Sequence, residues 1–252
     1  MKFGVADYGV GVWDGGFFDL DNELEMIRRI GFDGVERLTA ADPADAVEKA
    51  ACFRRKGLDF TTCRAPSADG CIRWTAAFGK PYVWIEVSGD NRREPIEVFC
   101  RRANKFTAAA KRAGVDAALH NHLGNRIESE QEVDYFMENC PDAKLLLDIG
   151  HIYSAGGDGA ALIRRYASRI AAVHFKDVFI KDESIGLDRW TARLRFCELG
   201  GGNARVVDYQ SCAAALLETG YDKWVFVEHD THMDEPEKEL KISFDILKQL
   251  FA

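Results

Sequence analysis

The stretch LHNHLGN, from Leu119 to Asn125, places two imidazoles on either side of an amide directly after an apolar run. All six histidines of the chain lie beyond position 119. One histidine is commonly a hydrogen-bonded structural residue, but six near the ends of neighbouring strands are harder to explain in that way. Buried carboxylates repel one another, and buried imidazoles lose hydration, unless a cation joins them. The histidines therefore indicate a divalent metal site.

Polar residues that could take part in a site follow the predicted strands along the whole chain. In a closed barrel of parallel strands, the C-terminal ends of the strands face one mouth, where the active site lies. The second half of the chain is richer in such residues than the first half. They are Asp7, Glu36, Arg37, Arg64 and Glu86 in the first half, and His120, Asn121, His122, Asp148, His151, His174, Lys176, Glu228 and His229 in the second.

Eight short β-rich segments alternate with helical patterns and must position these side chains. Strand followed by helix, eight times at this length, predicts an α/β fold, a (β/α)8 TIM barrel in a single domain over residues 1–252. A doubly wound open sheet gives a similar alternation, so this prediction depends on the count. The predicted strands are Lys2–Ala6, Gly34–Leu38, Leu58–Cys63, Tyr82–Val87, Val115–His120, Lys144–Asp148, Ile170–His174 and Trp224–Glu228.

Composition narrows the class of protein. A net charge of −8 disfavours binding to nucleic acid or to an anionic membrane, so small molecules are the expected partners. No apolar run approaches the roughly 18 residues of a membrane span, and the first residues lack the pattern of a signal peptide, so we expect a cytoplasmic protein. The seven cysteines are scattered without a CxxC motif, which favours reduced thiols.

Four segments resemble the xylose-isomerase-like sugar isomerase/epimerase superfamily of TIM barrels. The resemblance spans the first strand to the eighth and is strongest from 115 to 178. HNHLGNRIESEQEVDYFM followed by DIGHIYSAGGD is most similar to the inosose dehydratase branch. The four segments are GFDGVE (31–36), LLLDIGHIYSAGGD (145–158), VHFKDV (173–178) and FVEHD (226–230).

The resemblance implies one divalent metal ion, held at the ends of strands five to eight. On the last three of these strands the implied ligands are Asp148, His174 and Glu228. On the fifth strand, where many relatives carry Glu, this chain carries His120, which therefore takes the ligand position. Two imidazoles and two carboxylates favour Mn²⁺, with Co²⁺, Fe²⁺ or Zn²⁺ possible and Mg²⁺ less favoured.

The resemblance also implies chemistry on a keto-sugar, a keto-cyclitol or a 3-keto-glycoside. The proton α to the carbonyl is removed through a metal-stabilised enediolate, and elimination, isomerisation or epimerisation follows. Epimerases of the superfamily use two metal-bound glutamates, and only Glu228 of that pair is present, which favours elimination. We expect Glu228 or His120 to act as the base, with His151, Lys176 or His229 near the leaving group.

Substrate contacts are predicted from five residues, and some alternatives stay open. His122 points away from His120 if the strand alternates regularly, so its role is undecided. Glu36 could instead pair with Arg37 or Arg64. The glycine run GGGN at 200–203 is either a phosphate-binding loop or a flexible turn. The predicted substrate contacts are His122, Glu36, Arg64, Trp13 and His229.

Two other functions compete with this prediction. The missing carboxylate on the fifth strand is compatible with a catalytically silent sugar-binding or partner subunit of a hetero-oligomeric enzyme. Apurinic endonucleases share the fold and the D-x-x-H and H-x-x-D elements, but they need several zinc ions and a basic DNA groove. The net charge of −8 argues against that second alternative. The sequence leaves both a homo-oligomer and a hetero-oligomer open.

Overall fold

The structure is a computed structural model that describes residues 1–8, 10, 19–87, 92–204, 206–231 and 234–252. One parallel sheet contains eight of its strands, and an antiparallel hairpin contains two more. The strands are β1 (Lys2–Val5), β2 (Gly34–Thr39), β3 (Asp59–Arg64), β4 (Tyr82–Trp84), β5 (Asp116–His120), β6 (Lys144–Asp148), β7 (Ile170–Phe175), β8 (Asp177–Ile180), β9 (Leu194–Cys197) and β10 (Trp224–Val227).

Helices connect consecutive strands of the parallel sheet, as the alternation in the sequence predicts. Short 3-10 turns at Ala167–Arg169 and Leu187–Arg189 accompany them. The α-helices are α1 (Leu20–Ile30), α2 (Pro43–Lys56), α3 (Ala68–Ala77), α4 (Ile96–Arg112), α5 (Glu130–Asn139), α6 (Ile149–Ser154), α7 (Gly159–Tyr166), α8 (Trp190–Arg193), α9 (Tyr209–Glu218) and α10 (Pro236–Leu250).

The parallel sheet curls into a nearly closed barrel. Its strand order is β3-β2-β1-β10-β7-β6-β5-β4, so β3 and β4 meet at the seam. Side chains join the two strands there, because the hydroxyl of Thr61 on β3 lies 3.1 Å from the hydroxyl of Tyr82 on β4. The predicted (β/α)8 barrel is confirmed.

Packed side chains fill the interior of the barrel. They form the floor beneath the mouth at the strand ends. Large rings from β4 and β10 occupy the centre, and small residues on other strands make room for them. Gly4 on β1 is one of these, because a Cβ there would lie 2.6 Å from the ring of Phe226. The residues of this inner layer are Ala6, Tyr82, Ala118, Leu146, Ala172, Trp224 and Phe226.

The structure differs from the prediction in two regions. The strand predicted over Tyr82–Val87 ends at Trp84. The stretch after β7, which shows no clear periodicity in the sequence, contains the hairpin of β8 and β9 together with α8. Asp177 pairs with Cys197 at one end of the hairpin, and Ile180 pairs with Leu194 at the other.

All seven cysteines are buried and free. Among the residues that the structure describes, no helix is both long enough and apolar enough to cross a membrane.

Candidate metal centre and active site

Four side chains of metal-binding types converge where four neighbouring strands end. His120 ends β5, Asp148 ends β6, His174 lies near the end of β7, and Glu228 directly follows β10. The register pairs Asp148 with His174, and it pairs His174 with Phe226, two residues before Glu228. One ligand atom from each of the four lies within 4.8 Å of the others. Parallel pairing therefore assembles the predicted set.

The spacing of the ligand atoms fits a single divalent ion. Nε2 of His120 lies 3.4 Å from Oδ2 of Asp148 and 3.9 Å from Oε2 of Glu228. Nδ1 of His174 lies 3.5 Å from the same aspartate oxygen and 2.9 Å from the same glutamate oxygen. Four atoms placed about 2.1 Å from a tetrahedral ion are roughly 3.4 Å apart. Geometry and donor types thus fit Mn²⁺, Fe²⁺, Co²⁺ or Zn²⁺.

The ring of His174 has the orientation that a metal ligand requires. Its Nε2–H donates to Oε2 of Glu36 over 2.9 Å, which leaves Nδ1 directed at the ligand carboxylates. Metal-binding histidines commonly donate their second ring N–H to a carboxylate in this way. Burial alone would lower the pKa of His174, but the carboxylates of Glu228 and Glu36 raise it well above its ordinary value. A divalent ion would replace this proton at Nδ1.

Both oxygens of Glu36 are engaged inside the barrel. Oε1 accepts hydrogen bonds from the hydroxyl of Tyr82 over 2.8 Å and from the indole N–H of Trp84 over 3.0 Å. Oε2 accepts the N–H of His174, and the side chain is fully buried. The structure therefore directs Glu36, which was predicted to contact substrate, at the candidate metal ligand His174 and at the fourth strand.

The ammonium group of Lys176 lies among a second set of ligand atoms. Nζ is 2.6 Å from Oδ2 of Asp148 and 2.6 Å from Oε2 of Glu228. It is also 2.5 Å from Oδ2 of Asp230 and 3.2 Å from Nε2 of His151. Burial opposes the charge on this amine, but the three carboxylates raise its pKa above the ordinary value. Lys176 is therefore held as a cation.

The same contacts keep the ligand carboxylates ionised. Burial alone would raise the pKa of Asp148, but the charge of Lys176 and the hydrogen-bonding side chains of His120 and His174 hold it well below its ordinary value. Burial acts in the same direction on Glu228, and the charges of His174 and Lys176 lower the pKa of that carboxyl well below its ordinary value. Both carboxylates are thus in the form that binds a cation.

His151 is buried beside Lys176 in a defined tautomer. Its Nδ1 accepts the backbone N–H of Leu123 over 3.3 Å, so Nε2 carries the proton and donates to Oδ2 of Asp230 over 2.9 Å. Burial, with the charges of His122 and Lys176, lowers the pKa of His151 to about 3, so the ring is neutral. The ring of His122 stacks on it with centroids 3.8 Å apart, which places His122 in this cluster.

The hairpin of β8 and β9 covers the cluster of side chains that surrounds Lys176. The ring of Phe196 on β9 lies 4.4 Å from the ammonium of Lys176 and meets the ring of His151 edge-on at 4.6 Å. Trp190 of α8 packs edge-on against His122 with centroids 5.6 Å apart. Aromatic surface from this insertion therefore shields the cluster.

The glycine run after the hairpin forms a turn that Asp177 anchors. The carboxylate of Asp177 accepts the N–H of Gly200 over 3.1 Å and the N–H of Gly202 over 3.3 Å. The N–H of Gly201 donates to the carbonyl of Glu198 over 2.9 Å. Since these N–H groups are already bonded within the loop, the structure favours the turn over a phosphate-binding loop.

A cavity of about 440 Å³ lies beside His120, one of the four candidate metal ligands. His120, Trp84, Glu86 and Asn125 are among the residues that line it. The indole of Trp84 stacks on the ring of His120, with centroids 4.6 Å apart and planes tilted by 32°. The volume is within the range of cavities that bind small ligands. A small polar substrate placed here would contact His120 directly.

Several predicted site residues do not line this cavity. Arg64 is exposed at the end of β3, and Nδ1 of His229 lies 3.6 Å from Oε2 of Glu239 in α10. Trp13, predicted as part of an apolar wall against the sugar, lies outside the described residues. The predicted catalytic residues that are buried and do not line the cavity are Glu228, His151 and Lys176.

Two residues at the site, Asp230 and Trp84, were not among the candidates from the sequence, whereas Glu86 was a candidate without an assigned role. Asp230 lies two residues after Glu228, and Trp84 lies two residues after Tyr82 and two before Glu86. Side chains two residues apart in an extended chain share a face, so this periodicity was the signal that could have found both.

The sequence profile of the xylose isomerase-like TIM barrel family matches residues 24–250. The chain belongs to this family. The match covers most of the chain, including the second strand and all four candidate metal ligands. It confirms the resemblance that the DIGH and VHFKDV segments indicate.

Individual relatives cover different shares of the chain. The inosose dehydratase of Salmonella typhimurium is 32% identical over 142 residues, which are 52% of this chain and 46% of that protein. The chain spans about half the length of the curated relatives it matches. An L-ribulose 3-epimerase structure has a TM-score of 0.73 at 18% identity, covering 99% of this chain and 94% of the other. The zinc-bound IolI protein has a TM-score of 0.73 at 16% identity, covering 100% and 98%. These two likenesses concern the fold.

Proposed function

We propose that this chain is a divalent-metal-dependent enzyme that removes the proton α to the carbonyl of a keto-cyclitol or keto-sugar and then eliminates water. The observation that carries the proposal is the convergence of His120, Asp148, His174 and Glu228 into one ligand set beside a cavity. Similarity to an inosose dehydratase supports elimination over epimerisation. The donor set favours Mn²⁺ as the resident ion, and zinc in the IolI protein makes Zn²⁺ the next candidate.

The residues of the chain prepare the site for this reaction. When bound, the ion would polarise the substrate carbonyl and stabilise the negative charge that develops beside it. Glu36 fixes the ring of His174, and Lys176 keeps Asp148 and Glu228 ionised. The ring of His174 is therefore oriented and the two carboxylates are ionised before substrate arrives, which lowers the reorganisation that the reaction requires.

Proton removal needs a base that lines the cavity and is not committed to the ion. Glu86 meets both conditions, since it lines the cavity with His120 and contacts the thiol of Cys71 at 3.9 Å. Glu228 is less suited to accept a proton, because Oε2 already faces His174 and Lys176. We therefore assign the base to Glu86 and the ligand role to Glu228.

Substitution of Glu86 separates catalysis from metal binding. Glu86→Gln should lower kcat by about 10²–10⁴-fold, the usual contribution of a general base, while metal content stays at the wild-type value. Steady-state kinetics and elemental analysis of the same preparation measure the two effects. Unchanged kcat would assign proton removal to another residue.

The reaction itself is tested by following a keto-cyclitol in D₂O. The protein loaded with Mn²⁺ is incubated with an inosose and with a panel of keto-hexoses and 3-keto-glycosides, and products are followed by NMR and mass spectrometry. The proposal expects a product that has lost water. An epimerase would instead exchange the α-proton and return an isomer of unchanged composition.

Two variants control this experiment. Glu228→Gln removes a ligand and should abolish turnover, whereas Asp142→Asn changes an exposed carboxylate that pairs with Lys111 and should leave turnover intact. If the metal-loaded protein neither exchanged the α-proton nor formed a product with any member of the panel, the enzymatic proposal would be refuted. A sugar-binding or partner subunit would then be the better explanation.

A further inference from the structure

Lys176 occupies the middle of a pocket that has the composition of a metal site. Its Nζ lies between 2.5 and 3.2 Å from one ligand atom of each surrounding residue. Those ligand atoms also lie within 4.8 Å of one another. The three carboxylates form a donor set for divalent cations, and the Nε2–H of His151 donates to one of them. The surrounding residues are Asp148, His151, Glu228 and Asp230.

The pocket is built around this side chain. A Cβ on Gly150 would lie 2.3 Å from Cγ of Lys176, so the glycine of the DIGH segment makes room for the lysine stem. The ring of Phe196 faces the ammonium at 4.4 Å, and Lys176 has no exposed surface. A cation enclosed in this way differs from a surface lysine in a chance ion pair.

Two oxygen atoms belong both to this pocket and to the candidate metal set. Oδ2 of Asp148 lies 3.4 Å from Nε2 of His120 and 2.6 Å from Nζ of Lys176. Oε2 of Glu228 lies 2.9 Å from Nδ1 of His174 and 2.6 Å from the same ammonium. In two-metal sites the ions lie about 3.5–4 Å apart and act on the same groups. The two pockets share these two oxygen atoms, as the two halves of a two-metal centre share their bridging groups.

We propose that the ammonium of Lys176 takes the place of a second divalent ion. The site is then a two-cation centre in which one cation is exchangeable and the other is supplied by the chain. This inference rests on the proposed function, because the exchangeable ion is the one proposed there. Lys176 limits the centre to one ion per chain. It also compensates the negative charge of the buried carboxylates before that ion binds.

Removal of the amine should open the second position. Wild type, Lys176→Ala and the double variant Lys176→Ala/Asp230→Asn are saturated with Mn²⁺, freed of excess ion by gel filtration and analysed for metal content and by EPR. The wild type should hold one ion per chain, Lys176→Ala two, and the double variant one. The two ions of Lys176→Ala should give the spectrum of a spin-coupled pair. Lys223→Ala, which removes a lysine directly before β10 that bonds the carbonyl of Ile170 away from the site, should hold one ion.

The outcomes separate this inference from the proposed function. One ion in both the wild type and Lys176→Ala overturns the inference and leaves the proposed function intact. No ion in the wild type overturns both. If Lys176→Ala folds only with Mn²⁺ present, the inference is supported, because the ion then replaces the lost charge. If it stays unfolded even with Mn²⁺, the ion cannot replace the ammonium, and the inference is overturned.

Discussion

Glu36 shows how one buried carboxylate links the candidate metal ligand His174 to the barrel wall. It accepts hydrogen bonds from His174 on β7 and from Tyr82 and Trp84 on β4. A carboxylate behind a metal-bound imidazole fixes the ring and raises its basicity as a ligand. We therefore expect Glu36 to increase the affinity for the metal ion, although Glu36 itself does not contact the ion.

Glu36→Gln should weaken Mn²⁺ binding by roughly 10- to 100-fold, because the amide carries no charge with which to polarise His174. Titration calorimetry or the EPR signal of free Mn²⁺ measures the dissociation constant. Glu86→Gln is the matched control, since it makes the same substitution at the mouth and should leave the affinity unchanged. Equal affinity in wild type and Glu36→Gln would show that Glu36 does not position the ligand.

Single residues of the site were predictable to different degrees. Asp148, His174 and Glu228 follow from the family motifs, and the position of His120 follows from its alignment with a ligand position. The partner of Glu36 was not predictable, because its contact with His174 crosses the barrel between residues 138 positions apart. Long-range contacts of this kind depend on the closed sheet and leave no local pattern in the sequence.

At the scale of elements, α10 anchors the segment that carries Glu228 and Asp230. Oε1 of Glu239 in α10 accepts the backbone N–H of Asp234 over 2.8 Å and that of Glu235 over 3.1 Å. Its second oxygen lies 3.6 Å from Nδ1 of His229. The contact with His229 is the largest cause that lowers the pKa of Glu239 to about 2.

This contact predicts a dependence of stability on pH. The folded pKa of Glu239 lies below its ordinary value of 4.5, so the stabilisation is fully present above that value and is lost as pH falls towards 2. Glu239→Gln should therefore reduce the loss of unfolding free energy between about pH 6 and about pH 3. Urea unfolding at the two pH values measures it.

Glu237 provides the matched control, since this exposed carboxylate in the same helix pairs with Arg29. Glu237→Gln should leave the pH dependence close to that of the wild type. If Glu239→Gln behaved in the same way, the anchoring role of Glu239 would be excluded.

The hairpin of β8 and β9 was the element that the sequence did not predict. Its strands are four residues each, and the connection between them carries a 3-10 turn and the short helix α8. Short strands with a long connection produce little periodicity. The longer elements were predictable because their buried faces repeat over several turns, as Phe99, Ala103, Phe106 and Ala110 do in α4.

At the scale of the whole molecule, the barrel closes through side chains at one seam. The hydroxyl of Thr61 donates to the carbonyl of Glu36 over 2.9 Å and lies 3.1 Å from the hydroxyl of Tyr82. The count of eight strands predicted the barrel, but it did not predict between which two strands the pairing is weakest. The seam lies beside β4 because this strand is only three residues long. No turn or proline inside the predicted strand marks its early end.

Tyr82→Phe removes the hydroxyl that joins Thr61 and Glu36 across the seam. Because buried groups then lose a partner, the free energy of unfolding should fall by about 1–3 kcal/mol, measured by urea denaturation. Tyr8→Phe changes a partly exposed tyrosine and should alter it by less than about 0.5 kcal/mol. Equal stability of Tyr82→Phe and wild type would show that side chains at the seam do not hold the barrel closed.

The central claim is that His120, Asp148, His174 and Glu228 form one metal site. The most direct test is the metal content and Mn²⁺ affinity of wild type, His120→Ala and Glu228→Ala, purified in parallel. The account predicts one ion per wild-type chain and a loss of affinity of at least about 100-fold in each variant, more than the removal of a supporting residue costs. A wild type without metal, or full metal content in both variants, would contradict it.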